Sequence, residues 1–176
     1  MAVLVEGISV IVKVSAVHEH FPGGWAAFRD SVPNATLCCD NELARIGFMA
    51  PDDTKAFVES LEGAGLVYLV DGNAQDIVVA DQQRGFAAPC DWAEFGRINL
   101  DGEERKRVAA CRLVGSTQQL FLPDGWSFDQ SLSSQFSFVP EGFEAEFMDF
   151  VRRENNLEVY VDRRTGKEVY LGRAGA

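Results

Sequence analysis

Two short runs near the end of the chain, Leu157–Asp162 and Lys167–Leu171, alternate apolar and polar residues on either side of Arg163–Gly166. Side chains along a strand point to opposite faces in turn, so this pattern predicts a β-hairpin with one buried face. Leu157, Val159, Val161, Val169 and Leu171 are expected toward a core, with Tyr160 and Tyr170 together on the other face. The same device recurs upstream. Ala35–Cys39 and Leu43–Met49 flank Asp40-Asn41, and Val67–Val70 and Ile77–Ala80 flank Asp71-Gly72-Asn73. Such turn residues tolerate the backbone angles a tight reversal needs. Gly7–Val14 is rich in β-branched residues, and Val108–Val114 and Gln118–Leu122 read as further strands before the turn Pro123-Asp124-Gly125.

Helical spacing interrupts these strands. Val17, His18 and Phe21 sit in a short segment that Ser15 can cap. Beyond Pro22-Gly23-Gly24, Trp25, Phe28 and Val32 fall on one side of a second helix. Pro51-Asp52-Asp53 opens a third, because proline suits the first turn and acids suit its positive end. Ala56, Phe57, Leu61 and Ala64 form its apolar stripe, and Gly63 and Gly65 stop it. Phe143, Phe147, Phe150 and Val151 predict a fourth helix over Glu141–Glu154. Residues 82–107 sustain no period, although Trp92, Phe95 and Ile98 can pack. The expected fold class is α+β: a mainly antiparallel sheet built from hairpins, with three or more helices packed on one face.

A chain of 176 residues suits a single domain spanning 1–176. Phe48–Ala80 and Phe138–Leu171 share an order of strand end, proline, helix, strand and turn, so two similar half-domains, 1–85 and 105–176, are a candidate organisation.

The formal net charge is −11. Residues 152–176 hold six basic and four acidic side chains, so the rest of the chain carries −13. Such a body is a poor partner for nucleic acid, which needs lysine and arginine to neutralise phosphate. A basic protein is the partner its charge would suit, and a homo-oligomer is compatible with the composition. No run approaches the ~20 apolar residues a membrane-spanning helix needs. Met1–Val14 contains Glu6 and no basic leader, and reads as a strand instead of a signal peptide. Cys38, Cys39, Cys90 and Cys111 form no Cys-x-x-Cys, and adjacent Cys38 and Cys39 would point to opposite faces of a strand. Reduced thiols in the cytoplasm are expected.

Candidate chemistry is sparse. His18 and His20 could serve as bases or metal ligands. On a helix, however, residues two apart diverge by roughly 200°, which separates the rings and argues against a metal site. Cys38 or Cys39 could act as a nucleophile if one of these imidazoles stood beside it, giving a small cysteine- or metal-dependent hydrolase. The alternative role for these groups is ordinary: a surface helix and a buried thiol acting as a small hydrophobe. No phosphate loop, dinucleotide fingerprint or nucleophile elbow is present, and no cofactor is expected. Trp92, Trp126, Tyr160 and Tyr170, with Arg163 and Arg164, are the residue types that anchor protein interfaces. The leading expectation is a non-enzymatic protein-binding or inhibitor (immunity-like) protein with an acidic surface. A small-ligand pocket between half-domains is a further alternative.

Overall fold

The computed structural model describes residues 1–135, 137–139, 148–154, 157–163 and 166–172. Its first fourteen residues set the architecture. The chain is extended as β1 (Ala2–Val5), turns a corner at Gly7, and continues as β2 (Ile8–Lys13). Gly7 takes φ +58°, and a Cβ there would stand 2.6 Å from the Phe48 carbonyl oxygen, so only glycine fits. Buried Gln82 fastens the corner, accepting from Gly7 N at 2.9 Å and donating to the Leu132 carbonyl at 3.3 Å. One continuous run therefore serves two sheets.

β2 is the centre of a five-stranded antiparallel sheet. Its order is β3 (Cys38–Cys39), β4 (Leu43–Phe48), β2, β7 (Ile77–Asp81), β8 (Gly85–Phe86). β1 lies inside a second sheet between β11 (Leu120–Phe121), to which it runs parallel, and β10 (Arg107–Leu113), which pairs with β9 (Ala93–Asn99). Alternation along β2 sorts the core. Val10 and Val12 face helices α1 (Val14–His20), α2 (Gly24–Ser31) and α3 (Pro51–Gly63), joining Val17, Phe28, Phe57, Val58 and Leu61 in one cluster. Ile11 faces the second sheet and joins Val3, Val5, Val78, Ala109 and Cys111 in another. The fold is thus α+β, with one buried cluster on each face of the central sheet.

β5 (Leu69–Val70) and β6 (Asn73–Ala74) form a hairpin closed by Asp71 and Gly72, both at positive φ. β7, expected to pair with this arm, pairs with β2 and β8 instead. The short α4 (Leu132–Gln135) touches β10 and β12 (Ser137–Val139). A third sheet has the order β12, β15 (Glu168–Gly172), β14 (Leu157–Asp162), β13 (Met148–Glu154).

The helix expected over Glu141–Glu154 is corrected for its second half: Met148–Glu154 is a strand, antiparallel to β14. Its register shifts between Phe150 and Arg152, so Val151 bulges out of the ladder. A bulge breaks the two-residue alternation, which is why Phe150-Val151 imitates a helical stripe. Residues 140–147 lie outside the described residues. Val58–Gly63 is helical, whereas the positions in step with it, Met148–Arg153, are strand.

Candidate functional site

His18 and His20 are both exposed on α1, with His20 Nε2 at 3.6 Å from its neighbour Glu19. His18 packs its ring 6.4 Å from Trp25 and shares the wall of a cavity of about 770 Å³ with Cys39 and Asp40. Among the described residues no imidazole hydrogen-bonds a thiol, and no group of three His, Cys, Asp or Glu side chains could hold a metal ion. Cys38 is buried, with Sγ 3.5 Å from the Phe121 carbonyl, and burial pushes its thiol up to about 11 against an opposing pull from Arg45. Cys39 is raised by burial and then by Asp40. Both shifts favour the protonated thiol, which is the weaker nucleophile.

The aromatic candidates are scattered. Trp92 packs on the core between the two sheets, donates Nε1 to the Ala74 carbonyl at 3.1 Å and lies under Lys13 Nζ at 4.7 Å. Trp126 donates Nε1 to Glu6 Oε1 at 3.3 Å. Tyr160 donates to Glu158 Oε2 at 2.8 Å and meets Phe150 edge-on at 5.6 Å. The expected common face for Tyr160 and Tyr170 is corrected by the register. Tyr160 pairs with Val169 and Tyr170 with Val159, so odd positions of β14 match even positions of β15 and positions 160 and 170 fall on opposite faces of the sheet. Alternation within each strand does not specify the pairing between strands, which the turn decides. Arg163 is exposed, 3.6 Å from Asp149, and Arg164 lies outside the described residues.

Two concave features arise elsewhere. α3 packs on β2 and β4, and β7 and β8 lie beyond it at the edge of the sheet. There Val79 and Phe86 stay part-exposed beside Ile8, Val58 and Tyr68, flooring a groove of about 720 Å³. Its rim carries Glu59, Glu62 and Asp81 against Lys55 and Arg84, and Lys55 is already engaged with Glu59 at 3.7 Å. Burial and then the Glu62 charge hold the Tyr68 phenol above its ordinary range. Nearby in the chain, Val67, Leu69 and Val70 are 39%, 42% and 48% exposed, an apolar surface on the hairpin arm that follows Leu66.

The second feature surrounds a buried cation. Arg45 is only 4% exposed. Its Nε donates to Ser9 Oγ at 3.0 Å, Nη2 to the Glu6 carbonyl at 3.1 Å and Nη1 to the Thr36 carbonyl at 3.4 Å. Burial lowers its pKa, and the Glu6 charge opposes that shift. Glu6 Oε1 in turn accepts from Trp126 Nε1, from Ser133 N at 3.2 Å and from Ser133 Oγ at 2.6 Å. Arg45, Glu6 and Trp126 share a cavity of about 310 Å³ beside the β1–β2 corner, walled by the end of β4 and the turn at residues 123–126. Sequence reasoning passed over Arg45 because a polar residue in an alternating strand reads as solvent-facing. The one signal was Gly47 two residues later, leaving room on the same face. Comparison with protein-family models, with curated proteins and with solved structures returns no match to this chain.

Proposed function

We propose that this chain is a non-enzymatic binding protein that holds an apolar, basically flanked segment of another protein in the groove between α3 and the β7–β8 edge. The observation that carries this reading is the incomplete helical cover. Val79 belongs to the face that the helices bury elsewhere, yet here it stays part-exposed beside Val58 and Tyr68, and Phe86, which packs on the other face against Phe95, reaches the same groove at the sheet edge. A groove of this size with an apolar floor beneath a charged rim suits a binding site. Three acids on its rim and a net charge of −11 suit a basic partner, whose approach they would accelerate in a salt-dependent way. An inhibitor that neutralises a basic protein is one concrete form of this activity. A cytoplasmic setting accords with four free thiols. The hydrolase alternative has less support, since its thiols are biased toward the protonated form and lack an imidazole partner.

The test is a photo-crosslinking amino acid placed at Lys55, on the groove, in the protein expressed in its source cells. The same group at exposed Arg105 is the control. A discrete adduct with a protein bearing a basic segment is expected from position 55 alone, and Val79→Glu should abolish it while unfolding stays cooperative. An absent adduct, or one indifferent to Val79→Glu, overturns the reading; a small molecule in the adduct's place would transfer the groove to ligand binding.

A further inference from the structure

The cavity beside Arg45 presents charges of both signs against an aromatic wall, and the groove has no use for it. Among the described residues, three of the five N–H groups of the Arg45 guanidinium are used, and all three acceptors are neutral oxygens. The nearest carboxylate belongs to Glu6, but Glu6 gives Arg45 its backbone carbonyl and not its side chain. Among the described residues the Glu6 carboxylate accepts three hydrogen bonds, all on Oε1. Oε2 takes none among the described residues. No buried side-chain oxygen there lacks a partner, so Oε2 is the atom through which Glu6 meets solvent. Gly47, on the same wall, has no side chain to screen the guanidinium from the cavity. Asp124 is exposed at the opening, and Trp126 and Leu132 add an apolar surface.

These groups define what the cavity can take. A simple anion would find Arg45 but also meet Glu6 and Asp124. A simple cation would find the two acids but meet the buried guanidinium. Desolvating a charge without an opposite partner is costly, so either ion alone is disfavoured. A ligand carrying both signs satisfies both ends, and its apolar part has the indole to lie against. A volume of about 310 Å³ stands at the small end of ligand sites.

We propose that this cavity binds a small zwitterion of the free α-amino acid class, with its carboxylate on Arg45, its ammonium between Glu6 and Asp124, and its side chain against Trp126 and Leu132. The site is independent of the α3 groove.

The experiment is a titration of the whole chain with each of the common free α-amino acids up to millimolar concentration, followed by tryptophan fluorescence and by calorimetry. At least one should bind saturably. Its N-acetyl and amide derivatives, each missing one charge, should bind roughly tenfold or more weakly, as expected for breaking one half of a charge pair. Trp126→Phe should remove the fluorescence response, leaving the Trp25 and Trp92 signals flat, while calorimetry still registers binding. Asp124→Asn alters only an exposed side chain and should weaken binding several-fold; Val79→Glu, in the groove, should leave it unchanged. Absence of saturation by every amino acid overturns the assignment, as does equal affinity for the derivatives. Unchanged affinity in Asp124→Asn would do the same for the ammonium position.

Discussion

The guanidinium of Arg45 occupies the space that a side chain at Gly47 would need: a Cβ at position 47 would stand 2.6 Å from Arg45 Nη2 and 2.9 Å from Cζ. The end of an arginine can usually swing aside, but this one is buried and held by Ser9, Glu6 and Thr36. Gly47→Ala is therefore expected to destabilise the fold by about 2–4 kcal/mol, through overpacking and broken buried hydrogen bonds. In an Arg45→Met background the same change should cost clearly less, since the group it collides with is shorter. Urea unfolding of the four proteins measures that coupling, and additive costs would contradict the relationship.

The thiols provide a pH-dependent readout. Burial raises Cys38 from the ordinary 9.0 to about 11 and pushes Cys111 up further. In native protein near pH 8, Cys38 and Cys111 should resist alkylation, whereas all four cysteines should react once urea unfolds the chain. The sign for stability follows from the same shifts. An unfolded thiol ionises at lower pH than a folded one, so stability contributed by the buried thiols is intact below about pH 9 and is lost as pH rises toward the folded values. Cys38→Ala should flatten the alkaline limb of a pH–stability curve; an unchanged slope would count against the burial assigned to this thiol.

Phe28 and Phe150 should behave differently despite their shared chemistry. Phe28 is fully buried between α2 and the central sheet, with Phe21 and Trp25 against its ring, and Phe28→Ala should cost about 3–5 kcal/mol. Phe150 is 58% exposed on β13 and, among the described residues, makes one ring contact, edge-on with Tyr160, so Phe150→Ala should cost about 1 kcal/mol. Comparable losses from chemical denaturation would argue against β13 as an open strand.

In the groove, Tyr68→Ala and Phe86→Ala should each weaken capture of the partner by more than about 1 kcal/mol, because part-buried aromatics at the centre of a contact carry much of its energy. Glu103→Gln, in an exposed turn far along the chain, should leave affinity nearly unchanged. Equal effects from the three changes, read by competition against the crosslinked partner, would place the contact elsewhere.

The strands and helices of the first eighty residues were legible because local chemistry and tertiary role agree there. Pro51 with Asp52 and Asp53 starts α3, Asp71-Gly72 turns the hairpin, and the β-branched run of β2 is buried on both faces. β9 was not legible: its side chains are mostly part-exposed or exposed, so no buried period marks it. Met148–Glu154 was misread because a bulge at Val151 set two apolar residues side by side. The pairing of β7 with β2 and the odd-to-even match of β14 with β15 are long-range choices that no local run of residues encodes. Of the candidate sites, the His and Cys positions were read for their chemistry and the aromatics for their size. The groove went unseen because it results from where a helix stops. Arg45 went unseen because its burial depends on partners distant in the chain, Ser9, Glu6 and Thr36.

The glycine corner has a mechanical meaning as well. Because β1 and β2 are one covalent thread lying inside two sheets, neither sheet can peel away while the other holds its ladder. The amides of Val3–Val5 and of Val10–Val12 should then exchange with solvent through a single opening event, at a common free energy and with a common denaturant sensitivity. The chain's first strands join the two sheets covalently at Gly7, so a load on one sheet passes to the other.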